Sequence, residues 1–293
     1  MAVTFMGKLA AKVAEGKHLC VGLDPAPEKH PPGVSVLQYL FAVVDATIDI
    51  AACYKPNIGF FESRGLQGLS EYMAVVAYIQ QLDPDMPIIG DWKRGDIGAT
   101  NEGYVTAAFV EVGVDALTIS PYLGLGAAAD VFLRVEGKTA IVLCRTTNPG
   151  AKEFQDLMCQ VPGEPILGQE MAPLYQIVAR NVADEWSKVG SVGLVAGATF
   201  PEELQKIREI APGVFLLIPG IGKQKGDLEA SVSFAYNPEA DADFVINVSS
   251  AVLYAYVSGP FQCDPLEFAR AAGAAAEDYD RQIREIVGGL KAA

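Results

Sequence analysis

Histidine is nearly absent, with only His18 and His30 in 293 residues. A Ser-His-Asp triad needs a histidine poised beside its nucleophile. His18 opens an apolar run and His30 sits in a Pro-rich stretch, so neither suits a general base. The same shortage removes His/Cys metal sets. The five cysteines (Cys20, Cys53, Cys144, Cys159 and Cys263) are odd in number and lack a CxxC spacing. That argues against a disulfide framework and for a reducing compartment. No apolar run approaches the roughly 18–20 residues of a membrane span. The opening MAVTFMGKLAAKVAEGKHL lacks the continuous apolar stretch of a signal peptide and reads as an amphipathic helix. Positive charge is scarce as well: 22 basic against 36 acidic residues give a net charge of −14. Such a surface repels nucleic acid and anionic membranes. The expectation is a soluble, cytoplasmic protein in which any anionic ligand is gathered by local lysines and backbone amides.

What is present is a repeating alternation. Eight short apolar runs occur at 18–23, 51–56, 86–93, 115–120, 139–144, 191–197, 214–220 and 243–248. They are continuous more than alternating, as parallel strands buried on both faces should be. Helical periodicity fills the intervals at 35–50, 68–82, 100–112, 126–134, 169–188, 201–210 and 265–287. At 201–210 the text TFPEEL offers Thr199 as N-cap, Pro201 in the first turn and acids beside the N-terminus. Segment 146–167 carries three prolines and two glycines and reads as an elaborated loop after the fifth strand, placed to act as a lid. Eight strands alternating with helices predict a (β/α)8 TIM barrel spanning 1–293 as one domain. A doubly wound open sheet would show GxGxxG after its first strand, and VGLDPAPEKH lacks it.

The ionisable residues fall at the C-terminal ends of the early strands, the face on which barrel active sites are built. Asp24 follows strand one, Lys55 ends strand two, and Asp91 and Lys93 end strand three. Residues i and i+2 of a strand share a face, so Asp91 and Lys93 point the same way. Two aspartates and two lysines can offset one another there, either as catalytic groups or as an ion-pair cluster sealing the barrel. Asp96 either caps the helix starting near Thr100 or reaches sideways into another subunit's site, and spacing favours the cap. Gly220 and Gly222, in LIPGIGKQKGD after strand seven, suit either a phosphate-binding turn or a plain left-handed turn.

DWKRGDIGAT (91–100) resembles the DxKxxDIxxT signature of orotidine 5′-monophosphate decarboxylases. VGLDP (21–25), YKPNIGFFES (54–63), TTNPGA (146–151), VAGAT (195–199) and LIPGIGKQKGD (217–227) resemble further motifs of that family's longer bacterial (type 2) branch. The resemblance implies a cofactor-free, metal-free conversion of orotidine 5′-monophosphate to uridine 5′-monophosphate and CO2, in de novo pyrimidine synthesis. It implies that Lys93 donates the proton, that Asp91 lies against the departing carboxylate, and that Lys55 and Asp91 hold Lys93. It further implies that Asp24 and Lys55 bind ribose, Ser120 contacts the pyrimidine, and Gln224 with the amides near Gly222 holds phosphate. Asp96 and Thr100 would cross the interface of a homodimer, against the spacing argument for Asp96. A related sugar-phosphate decarboxylase barrel, which would need a divalent metal, and a non-catalytic nucleotide-binding barrel remain as alternatives.

Two departures touch the phosphate. The family pattern SSRAIxYA reads VSSAVLYA at 248–255, so Ser250 stands where an arginine is expected. A bidentate guanidinium grip is lost there. The loop also reads GKQKGD in place of GxQGGD, adding Lys225 beside Lys223. The hypothesis is that Lys225, or Lys223, partly replaces that arginine. Titration of Lys225→Ala with phosphate-bearing and uridine-like ligands checks it: the phosphate-bearing ligand should lose far more affinity, and equal losses would refute it.

Overall fold

The computed structural model describes residues 4–222, 226–240 and 242–292. Eight parallel strands form its centre: β1 (Leu19–Leu23), β2 (Cys53–Pro56), β3 (Ile89–Arg94), β4 (Ala116–Ile119), β5 (Thr139–Arg145), β6 (Val192–Ala196), β7 (Phe215–Pro219) and β8 (Phe244–Val248). They pair in the order β2-β1-β8-β7-β6-β5-β4-β3. Bridges Tyr54–Ile88 and Asn57–Asp91 join β2 to β3 and close the ring. Each apolar run of the sequence thus coincides with one strand, the third and fifth strands extending one residue beyond their runs. The third begins late, at Ile89, because Pro87 has no N–H to give the ladder.

The strands are buried on both faces, and two apolar clusters follow from that. The larger lies between the outward side chains and the surrounding helices, including Val36–Thr47 and Gly65–Leu82. The smaller fills the barrel with Cys20, Cys53, Ile89, Ile141, Leu217 and Val245. Phe5 and Leu9 of helix Phe5–Ala14 belong to this inner cluster, and Phe5 packs edge-on against Phe215 at 5.7 Å. The amphipathic N-terminal helix is therefore the plug at the bottom of the barrel. All five cysteines are free. No helix among the described residues is long and apolar enough to cross a membrane.

His18 and Arg208, buried near that lower end, are satisfied internally. His18 sets Nδ1 3.1 Å from the Phe244 carbonyl and stacks on Phe244, and burial lowers its pKa. The buried Arg208 guanidinium donates to the carbonyls of Ala211, Pro212, Val214, Ala235 and Asp243. Its pKa falls to about 10, with burial the cause. His30 stacks on Tyr39 with ring centroids 4.0 Å apart, and burial pulls its pKa to about 4. His30 lies beyond the upper end of β1, both of its ring nitrogens are buried without a partner, and its contacts are those of packing.

Four local expectations change. Helix 169–188 starts only at Leu174, because Met171–Pro173 pairs antiparallel with Met158–Gln160 in a small hairpin. Apolar residues with no polar face carry no period that separates strand from helix. Segment 146–167 is accordingly not a bare loop. It holds a 3-10 turn at Pro149–Ala151, a helical turn at Lys152–Gln155 and one hairpin strand. Helix Pro201–Ile210 has the expected bounds, but Phe200 occupies its N-cap and the Thr199 hydroxyl is buried without a partner. Asp96 does not cap the helix after β3: that helix is Gly98–Val105 with Ile97 at N-cap, and it widens into a π-type turn over Thr106–Val112.

Arg208→Ala should destabilise the fold by about 3 kcal/mol, since it strands several buried carbonyls. Urea unfolding of wild type and variant, with unchanged m-value, measures this.

Candidate active site

The four ionisable residues at the strand ends are brought together at the barrel mouth. Lys55 on β2 lies in register with Gly22 of β1, and the Asn57–Asp91 bridge sets β2 against β3. Asp91 receives four donors. Lys55 Nζ reaches Oδ2 at 2.8 Å, Asn57 Nδ2 reaches Oδ2 at 3.1 Å, Lys93 Nζ reaches Oδ1 at 2.5 Å, and the Thr118 hydroxyl reaches Oδ1 at 3.1 Å. Burial would raise the Asp91 pKa, but Lys55 and Lys93 outweigh it and hold the carboxyl well below the usual carboxylate range. Burial likewise works against the Lys55 ammonium. Asp91 and then Asp24 overcome it and keep that pKa above its ordinary value.

The two lysines differ in access. The Lys55 side chain is 5% exposed and the Lys93 side chain 48%. Lys55 is thus an internal counter-ion, and Lys93 can meet a ligand. The meeting of Asp91 with Lys93 is not plain strand alternation. Lys93 has φ +50°, and the β3–β4 register shifts between Gly90 and Arg94. The left-handed conformation costs a non-glycine residue about 1–2 kcal/mol. The Lys93 N–H bond to Thr118 Oγ1, at 3.0 Å, helps hold it. A residue held in that region over a cleft is the kind of strain that accompanies function.

Above this chain lies a cleft of two lobes, each about 440 Å³. Lys55, Asp91, Thr147 and Pro219 border both. Asp24, Lys29, Asn247, Gly220, Ser249, Ser250 and Tyr254 line one lobe. Lys93, Thr118, Leu143, Asn148, Gln155 and Leu217 line the other. Asp24 Oδ1 is buried without a partner, an acceptor free for a ligand donor. Gly22 lets β8 approach, since a Cβ there would stand 1.9 Å from the Ser249 hydroxyl. Gly222, at φ +87°, sits just beyond the first lobe against Ala251 and Tyr279.

Other expected residues fall elsewhere. Ser120 lies past β4, its hydroxyl accepting from the Tyr122 N–H at 3.4 Å, and borders neither lobe. Asp96 accepts from the Ile97 N–H and Thr100 is exposed, both outside the lining. Lys223, Gln224 and Lys225 lie outside the described residues. Sequence reasoning passed over Asn57 and Thr118. Asn57 was accessible to the argument used for Asp91 and Lys93, being two residues after Lys55. Thr118 carried no signal, because a threonine in an apolar strand looks like any other. Arg145 was also missed: it is fully buried, stacks on Phe200 at 4.2 Å and bonds Gln155 and Asp156 of the segment over the second lobe.

Fold and site define a (β/α)8-barrel enzyme with lysines and aspartates clustered at the mouth of the barrel. Residues 17–257 match the Orotidine 5'-phosphate decarboxylase / HUMPS family, and the chain belongs to it. It is 39% identical over 258 residues to an orotidine 5'-phosphate decarboxylase of Verminephrobacter eiseniae, covering 86% of this chain and 90% of that one. It is 42% identical over 259 residues to that of Cupriavidus metallidurans, with the same coverage. The solved Leishmania donovani OMP decarboxylase superposes with a TM-score of 0.79 at 32% identity, covering 97% of this chain and 98% of that one.

Asp91→Asn should destabilise the protein by about 3–5 kcal/mol at neutral pH, because it leaves the Lys55 ammonium buried without its main partner. In the wild type Lys55 has a raised pKa, so its contribution holds below pH ~10 and is lost as pH rises through its folded value. In the variant its pKa is depressed, so stability should rise with pH. Chemical unfolding across neutral to alkaline pH should show the gap narrowing; a constant gap counts against this coupling.

Proposed function

We propose that this chain is an orotidine 5′-phosphate decarboxylase, converting orotidine 5′-monophosphate to uridine 5′-monophosphate and CO2 within pyrimidine synthesis. The observation that carries the reading is the alternating Lys55–Asp91–Lys93 chain on the floor of the two-lobed cleft. Family membership and the names of the bacterial relatives support it.

In this reading the second lobe takes the pyrimidine and its carboxylate, and the first takes ribose and phosphate. The bond from the ring carbon to the carboxylate breaks, CO2 leaves, and the electron pair stays on that carbon. The Lys93 ammonium stands where this charge develops, stabilises it, and delivers a proton to the same carbon. A donor fixed before the reaction spends nothing on reorganisation, and Asp91, itself held by Lys55, Asn57 and Thr118, fixes it. Asp91 also faces the substrate carboxylate. The free Asp24 oxygen accepts from a ribose hydroxyl, with Lys55 beside it. Gly220, Ser250 and Gly222, together with Gln224 and Lys225 of the same sequence motif, attend the phosphate, whose binding energy helps close the site. Ser120 would reach the pyrimidine only if the β4 loop shifts on binding.

The reaction is proposed to need neither metal nor organic cofactor. Among the described residues no group of three or more His, Cys, Asp or Glu is placed to hold a metal ion. A cytoplasmic homodimer is proposed with Asp96 and Thr100 at its interface. Both lie outside the cleft beside Ile97, which is 61% exposed, and the next loop exposes Tyr122 and Leu123.

The test is loss of orotidylate ultraviolet absorbance by purified protein in the presence of a chelator. Wild type should turn over. Lys93→Ala should keep its circular dichroism spectrum and lose more than about a thousandfold in kcat. Retained turnover in the variant would end the proposed role.

A further inference from the structure

We infer that Lys29 supplies the cation that grips the substrate's phosphate, at the rim where Ser250 offers only a hydroxyl; this rests on the orotidylate reading above. Among the described residues, the lining of the first lobe is short of positive charge for a ligand carrying a phosphate dianion. Asp24, Glu28 and Asp91 place three carboxylates on its lining, against Lys29 and Lys55 among the described residues. Lys55 is already bound to Asp91 at 2.8 Å and is nearly buried. The whole chain carries a net charge of −14, so no general field draws an anion in. Lys29 is the remaining described cation of that lobe.

Its position is built. Lys29 ends the 3-10 turn Pro27–Lys29 that follows β1. Its carbonyl accepts from the Tyr256 hydroxyl, which ties this turn to the segment after β8. Its ammonium lies 4.8 Å from the centroid of the Tyr254 ring. An ammonium has three N–H donors, so one resting on an aromatic face still has donors left for an anion. Among the described residues no carboxylate pairs with it. Lys29, Ser250 and Tyr254 also border the neighbouring cavity, so they share the rim between the two spaces. Lysine here acts as a point charge on a tethered stem, where a guanidinium would have gripped two phosphate oxygens.

The experiment is calorimetric titration of uridine 5′-monophosphate and of uridine into wild type, Lys29→Ala, Lys29→Arg, Lys225→Ala and the double variant Lys29→Ala/Ser250→Arg. Lys29→Ala should weaken the nucleotide by roughly tenfold to a hundredfold, the range of one charge-assisted hydrogen bond, and leave uridine unchanged. Lys29→Arg should keep the affinity. Ser250→Arg should restore much of it in the Lys29→Ala background, which repair of a merely structural defect would not do. Equal losses for both ligands, no loss for either, or phosphate selectivity that resides wholly in Lys225 overturns the inference. Orotidylate turnover by the wild type is measured alongside. If turnover is present and Lys29→Ala is silent, the inference alone falls. If turnover and preference for the nucleotide are both absent, the decarboxylase reading falls with it.

Discussion

A carboxylate held dry between two ammonium groups is the constraint from which the site follows. Asp91 has little contact with water and would be expensive to leave charged, yet it accepts from Lys55, Lys93, Asn57 and Thr118. Those four donors come from three neighbouring strands or their ends, so the network exists only because the ring closes between β2 and β3. Closure is also what gives the network direction. Lys55 is sealed beneath it, while Lys93 is turned out into the cleft by a backbone conformation that a lysine rarely takes. The strain at Lys93 and the burial of Asp91 are two sides of one arrangement, in which a charged amine is pinned before any substrate arrives.

The rest of the barrel keeps that arrangement in place and shapes the space above it. From below, the N-terminal helix inserts Phe5 and Leu9 into the barrel interior, so the strands have no hollow into which they could collapse. From the side, Arg145 ties β5 to Gln155 and Asp156, which steadies the wall of the second lobe. The division of the cleft then matches the parts of a nucleotide. The lobe over Lys93 is lined by Leu143, Val195 and Leu217 and suits a flat ring, while the other is rimmed by hydroxyls, a free carboxylate oxygen and Lys29. The acidic surface makes local cations matter more, since a net charge of −14 draws no anion in.

Much of this was readable along the chain. Asp24, Lys55, Asp91 and Lys93 stand out because charged residues at the ends of buried strands demand an explanation, and the structure puts all four at one mouth. Asn57 was one step of the same reasoning away. Thr118, Arg145 and Lys29 were not readable: a threonine inside an apolar strand, an arginine at a strand end and a lysine in a proline-rich turn each have common, ordinary roles. The segment around Met171 misled because an apolar stretch bounded by proline fits either a strand or the first turn of a helix. The Thr199 cap failed because a capping residue type creates an opportunity, and the neighbouring backbone decides whether it is used.

The sequence by itself determined the class of fold and the chemical inventory. Period and burial pattern belong to single segments, and eight buried runs alternating with helices leave few ways to close. Tertiary structure alone decided the bulge that turns Lys93 into the cleft, the hydroxyl that completes the cage around Asp91, and the docking of the first helix as a plug. It also decided that a lysine from the first loop and a serine after the last strand share one rim, because contacts between distant segments depend on register and closure, which no local pattern encodes.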